Sequence, residues 1–324
     1  MCFLYLLAMK KNIQILILLI STTGISQEKF SREISFITEN DLFISSYQDR
    51  YYSSGFFLAY TYLSKRKSNS LEKRIFKWEL GHKMYTPYKS TITNVVNHDR
   101  PFAGYFYGSF GIDRVYKKNQ LLNTSLQIGV IGPNSFAREI QQFIHDVYDF
   151  RKAIGWKYQI KNALALNFSF NYLKTILKTK KNHVDVTWVN HLNFGSIFTN
   201  TASGVYTRIG IKPLQKLTNT IAFNTNLNND QNNYFREVES FIYIKPMISY
   251  VFFDATLQGS FLNKKSPVTK EIVPLVFNTE IGLRFTVNRL NFGYVFIYNT
   301  NKSKELKYSN GHKYGRITFN YLLH

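Results

Sequence analysis

Gln141 and His145 stand four residues apart in the run Asn134-Ser-Phe-Ala-Arg-Glu-Ile-Gln-Gln-Phe-Ile-His145. On a helix that spacing puts both side chains on one face. Three more polar clusters stand out: Glu39-Asn40-Asp41, Asp49-Arg50-Tyr51-Tyr52-Ser53-Ser54-Gly55, and Asp99-Arg100-Pro101-Phe102-Ala103-Gly104-Tyr105. An imidazole moves protons near neutral pH, carboxylate oxygens hold hard cations, and guanidinium groups bind anions. Taken singly, none of these residues is specific. His145 alone reads as a surface or interface histidine, and Asp41 as a strand-end carboxylate. The two Asp-Arg pairs read equally as ties between loops or as ligand contacts. His82, His98, His183 and His191 sit in no pattern that suggests a role.

The elements that must position these groups are strands. Leu164, Leu166, Phe168, Phe170 and Tyr172 alternate with Ala165, Asn167, Ser169 and Asn171, a period of two that marks a β-strand. Ile281, Leu283, Phe285 and Val287 repeat the pattern, as do Leu290 to Tyr298 after a tight Asn288-Arg289 turn, and Ile317 to Leu323. Faces at Phe56–Tyr62 and Phe76–Met84 do the same. Polar stretches interrupt them at Ser64–Lys73, Lys89–Asp99, Lys174–His183, Leu217–Asn233, Asn263–Lys270 and Thr300–Ser309. No internal repeat or domain linker appears, so residues 27–324 read as one domain. We expect an all-β, transmembrane, antiparallel up-and-down barrel of about 12 strands, an even count suiting closure.

In such a barrel, alternate connections share a rim. The first strand ends where the second begins, the third ends before the fourth, and the fifth ends at the helix. The four clusters therefore fall on one side of the membrane. The helix is expected near 136–150, after the Gly132-Pro133 break, with Asn134 or Ser135 as its cap. Phe136, Ile140, Phe143, Ile144 and Val147 form its apolar stripe, beside Gln141, His145 and Tyr148. It would pack on the outer wall or lie in the membrane interface.

Composition agrees with a barrel. The 324 residues include 28 Phe and 23 Tyr, yet mean hydropathy is only −0.22. Alternation averages a lipid-facing surface to that mild value. A soluble β-sandwich would alternate too, but without an export signal and wide aromatic faces. That signal is Lys10-Lys11, the apolar run Ile13–Ile20 and the small or polar tail Ser21–Ser26, with cleavage expected near Ser26–Gln27 and Met9 as an alternative start. Such a run is too short to anchor in a bilayer. The sole cysteine, Cys2, would leave with it, excluding disulfides from the mature chain. The net charge of +21 reads either as a lysine bias aiding solubility or as attraction to an anionic partner. For an exported protein that partner is lipid phosphate or lipopolysaccharide. No nucleic-acid motif is present.

The ordered set Asn40-Asp41, Asp49 to Gly55, Tyr85-Thr86-Pro87, Asp99 to Gly104, Gly129 to Pro133, Gln141-x-x-x-His145 and Gly155-Trp156 resembles the lipid A 3′-O-deacylase family of outer-membrane barrels, LpxR. The resemblance covers residues 34–160, while the C-terminal half matches only as generic barrel. It implies a calcium-dependent hydrolase removing the 3′-linked acyloxyacyl chain of lipid A. On the family pattern His145 is the general base and Asp41 the calcium ligand. Asn40 stabilises the oxyanion, Ser53 matches a hydroxyl of the site, and Gln141 orients His145 or water. Asp146 and Asp149 are both candidates for the acidic residue that follows the histidine, which bears on the calcium shell; Asp149 is taken with Asp41 as a calcium ligand. Lys89 lies nearest the family's lysine after Tyr-x-Pro, and Arg100 offers a lipid A phosphate contact.

Two other classes compete. A non-enzymatic barrel, a porin or an interaction protein, would be indifferent to His145. An outer-membrane phospholipase or other lipid-modifying barrel would want a serine nucleophile paired with histidine, and no such motif stands out.

Overall fold

The computed structural model describes residues 29–44, 50–66, 69–147, 149–230 and 238–324. The segment 1–26 expected to be an export signal, Asp49 and Tyr148 lie outside them. Twelve antiparallel strands close into a barrel: β1 (Arg32–Asn40), β2 (Tyr51–Leu63), β3 (Leu71–Thr86), β4 (Ala103–Tyr116), β5 (Gln120–Ile131), β6 (Ala163–Lys178), β7 (Val184–Gly195), β8 (Phe198–Gly210), β9 (Ser240–Asp254), β10 (Leu275–Val287), β11 (Leu290–Asn299) and β12 (His312–Leu323). Each pairs with the next, and β12 pairs with β1. Helix α1 (Ala137–Val147) follows β5, and one turn, α2 (Ala255–Gln258), follows β9. The expected architecture, strand count and rim helix are all present. The segment 174–178, expected as loop, instead continues β6.

The alternation has its expected physical meaning. Along β6, Leu164, Leu166, Phe168 and Phe170 are exposed on the outer face, while Ala165, Asn167 and Ser169 are buried toward the lumen. Lipid accepts the apolar face, and the lumen takes the polar one. Inside, Glu39 pairs with Arg316 at 2.5 Å and Glu280 with Lys245 at 2.9 Å. A closed barrel also satisfies every strand's backbone groups, which an open sheet cannot do in lipid.

The two rims differ. One carries tight turns at 117–119, 179–183 and 288–289; the other carries the long connections 87–102, 132–162 and 255–274. Outer-membrane barrels keep short turns on the periplasmic side and long loops outside, so α1 stands at the external rim. The exceptions are the two-residue turn 196–197 on the long-connection side and 211–239 on the short-turn side. The described part of the latter folds into the lumen rather than hanging out as a polar loop: Leu217, Ile221 and Leu227 are almost fully buried. Lys73 Nζ donates to Thr225 O at 2.7 Å, and Arg284 Nη1 to Ala222 O at 3.1 Å. Arg208 at its base bonds Asp185 and Glu239 at 2.6 and 2.9 Å. Beyond this inserted segment, toward the external rim, a chamber of about 750 Å³ occupies the lumen.

Candidate functional site

Strand register gathers the candidate residues on the outer wall. Asn40 of β1 stands opposite Ser54 of β2, Ser54 opposite Met84 of β3, and Met84 opposite Gly104 of β4. A Cβ on Gly104 would fall 2.0 Å from Ser135 Oγ and 2.4 Å from Ala137 Cβ. The missing side chain thus lets α1 and its leading turn press against the barrel. Gly132 makes the break possible: its φ of +98° is left-handed, and a Cβ there would meet the backbone of Ile160 and Asn162 at 2.8 Å. His82 Nε2 bonds Ser135 O at 2.9 Å and pins this turn to β3. Met84, Phe102, Ala137 and Trp156 form the apolar seat, with Phe56, Ile140 and Ile144 packed on it.

The helix is inside-out relative to a soluble one. Ala137, Gln141 and His145 are its buried face, while Phe136, Phe143 and Val147 are each more than 60% exposed. The stripe expected from the sequence therefore divides: Ile140 and Ile144 pack inward, and the rest faces outward. Lipid imposes no cost on exposed apolar side chains, so the polar residues can take the protected seam between helix and wall.

His145 is 4% exposed, and its Nδ1 lies 2.6 Å from Arg151 O. A carbonyl oxygen only accepts, so Nδ1 carries the proton and Nε2 of the neutral ring is the acceptor. Phe150 meets the ring edge-on with centroids 5.7 Å apart. A backbone carbonyl thus orients the imidazole, a role the sequence suggested for Gln141. Asp146 and Asp149 are both exposed, and Asp149 has a left-handed φ of 56°. Gln141 Oε1 accepts from Trp156 Nε1 at 2.6 Å, so the indole fixes the amide.

Asn40 Oδ1 accepts from Leu42 N at 2.8 Å, which opens the turn Asp41–Ile44 and turns the amide's NH₂ away from it. Asp41 is buried, and its Oδ2 accepts from Arg50 N at 2.8 Å, closing the β1–β2 connection on itself. The register of β2 on β3 slips between Tyr52 and Ser54. This bulge inserts Ser53 and re-aims it: its Oγ lies 2.8 Å from Thr86 Oγ1, away from the lumen that Tyr52 and Tyr85 line.

Arg100 sits elsewhere. It is buried on the lumen side and lines the internal chamber. It donates to Tyr51 O at 3.3 Å and to Thr256 O and Oγ1 at 3.2 Å, and lies 4.6 Å over the Tyr85 ring. It ties the 255–274 connection to β2, with the barrel wall between it and α1. Asp99 is also a tie, accepting from Tyr51 Oη at 2.9 Å, Tyr88 N at 3.0 Å and Lys307 N at 3.0 Å. Lys89 is exposed on the 87–102 connection, 5.9 Å from the Tyr88 ring. Among the described residues, no three His, Cys, Asp or Glu side chains converge as a metal site.

Sequence reasoning missed the carbonyl of Arg151, the Trp156 indole and His82 as supports of the helix. Gly155-Trp156 was visible as a motif, but a partner fifteen residues back is a tertiary fact. The lumenal position of Arg100 comes from the path of the 87–102 connection before β4 begins, which no strand parity predicts.

A family model described as "Outer membrane protein LpxR" matches residues 13–323. No curated protein matches the chain in sequence. Among solved structures, LpxR from Salmonella typhimurium is similar at a TM-score of 0.71 and 17% identity, covering 90% of this chain and 100% of that one. An outer membrane channel from Pseudomonas putida F1 is similar at a TM-score of 0.50 and 7% identity, covering 94% and 100%. At such identities both likenesses speak to the fold alone. The family model spans nearly the whole chain, and with this barrel and its external helix the chain belongs to the LpxR family of outer-membrane proteins.

Proposed function

We propose that this barrel is a lipid A-modifying ester hydrolase that removes the 3′-linked acyloxyacyl chain, with His145 as general base. The observation that carries the reading is the Nδ1–Arg151 O bond of a histidine buried between α1 and the outer wall. It makes Nε2 the basic nitrogen of a neutral imidazole, in a helix seated on the outer wall of the barrel. Nε2 takes a proton from water as the water oxygen bonds to the ester carbonyl carbon. The tetrahedral oxyanion is met by the Asn40 amide NH₂, whose orientation the Leu42 N bond sets. Collapse breaks the bond to the sugar oxygen, which takes the proton back from His145; fatty acid and alcohol leave. Ser53 and Gln141 shape this seam, and Lys89 is an exposed cation available to a lipid A phosphate.

Calcium fits as the cofactor through Asp41. Its buried carboxylate is a hard donor, and calcium accepts backbone carbonyls and water for the remainder of its shell. When bound, the ion would supply positive charge beside the developing oxyanion. Asp149, exposed beyond α1, is not needed for this arrangement.

The test is mass spectrometry of lipid A from cells expressing the chain, a His145→Ala variant, or the chain under calcium chelation. Loss of the 3′ acyl groups should appear only with the unaltered chain and calcium. An unchanged acyl pattern with correctly inserted barrel overturns the hydrolase reading. A porin is disfavoured by the segment 211–230 folded into the lumen.

A further inference from the structure

The outer wall below α1 carries a gap. One register row runs Phe36, Leu58, Leu80, Gly108, Ile128, Leu166 across six strands. Each of these residues except Gly108 presents a large, exposed apolar side chain to the bilayer. At Gly108 the row is interrupted, and a cleft of about 690 Å³ opens, lined by Ile34, Leu58, Tyr60, Trp78, Phe110 and Ile128.

The backbone does not require this glycine. A Cβ at 108 would meet only Leu80 Cδ2, at 3.9 Å, and φ lies outside the left-handed range. Neighbouring glycines differ: a Cβ would fall within 2.2 Å of other atoms at Gly81, Gly104 and Gly129. A strand interior disfavours glycine, and one without a steric reason marks close approach by something else. The position of the cleft is also informative. On β4, Gly108 lies four residues below Gly104, the floor under α1, or roughly 13 Å at the rise of a strand. The cleft therefore continues the seam of His145 down the wall into the hydrocarbon layer.

We propose that this cleft seats one linear acyl chain of the lipid whose ester is presented to His145, and that the absent side chain at 108 sets the chain it accepts. The proposal rests on the hydrolase reading. An ester held at the rim must send its chain into the bilayer along the wall, and the gap at Gly108 is the apolar recess on that path. A leucine at 108 would occupy the space of a few methylenes.

The experiment compares a long-chain acyl ester in mixed micelles with a soluble butyryl ester, using full-length protein refolded in detergent. Gly108→Leu should lower kcat/KM for the long chain by about tenfold, while butyryl ester cleavage stays within about twofold. Ile128→Ala, which widens the cleft wall, should raise the preference for methyl-branched over linear chains by roughly fivefold. Heat-modifiable mobility checks that each barrel is folded. If Gly108→Leu does not fold, the Ile128→Ala ratio decides alone. Equal loss on both esters, or no change on either, overturns the cleft while leaving the hydrolase reading intact. A wild-type chain that cleaves neither ester overturns both.

Discussion

Trp156→Phe removes the hydrogen bond by which the indole holds Gln141. The indole and the amide are buried to 1% and 3% exposure, and their bond is 2.6 Å long. Phenylalanine keeps the ring packed on Phe102 and Met84 but leaves the Gln141 oxygen without its indole donor in a dry seam. That desolvation costs ~1–3 kcal/mol, which multiplies the opening equilibrium of α1 by about 5–150. Amide hydrogen exchange over 137–147 reads this locally, because sub-global opening of a rim helix is far cheaper than unfolding a barrel. The smaller ring also loses packing, so the experiment is a double-mutant cycle with Gln141→Leu. In that background the amide oxygen is absent, and only the packing loss remains. The cycle should return a coupling of ~1–2 kcal/mol, and His145-dependent hydrolysis should fall with helix opening. If Trp156→Phe speeds exchange equally in both backgrounds, the bond contributes nothing and Gln141 is not held as described.

Two other outcomes are expected. Arg208→Met leaves Asp185 and Glu239 buried without their shared cation, costing ~3–5 kcal/mol; the inserted segment should loosen, raising single-channel conductance in planar bilayers above that of the unaltered chain. Burial holds the His98 imidazole below its ordinary value, so as pH falls below about 6.5 the open loop takes the proton first and the folded 87–102 connection loses stability. Limited proteolysis of that connection should quicken at pH ~5.5 relative to ~7.5, and His98→Phe should remove the difference.

The barrel was legible because its rule is local. Each strand must turn apolar atoms to lipid and polar atoms to the lumen, so alternation at Leu164–Tyr172 or Leu290–Tyr298 states the fold directly. The same alternation, carried round a closed sheet, puts Asn40, Ser53 and the helix on one rim. The helix face was harder to read. An amphipathic pattern says which residues differ, not which side is buried, and the sign depends on whether the surroundings are water or hydrocarbon. At α1, on the outer wall of a membrane barrel, the polar side is the buried one, so Phe143 points out and His145 points in. The stretch Leu217–Asn233 likewise reads as a polar interruption, since the buried Leu217, Ile221 and Leu227 of its described part are scattered among Asn and Thr residues that bond inside the lumen.

The sequence by itself determined the class of molecule, its strand number and the cluster of candidate residues, because these follow from a period of two and from connection order. Tertiary structure alone decided which side of the wall each group occupies. Arg100 and Asn40 are equally polar, one in the connection before β4 and the other at the end of β1. Arg100 takes its side from the path of its connection, whereas for Asn40 and Ser53 one step of parity or one bulge separates the lumen from the lipid face. That step is set by the pairing of β2, β3 and β4 across some fifty residues of chain, a distance over which no local pattern carries information.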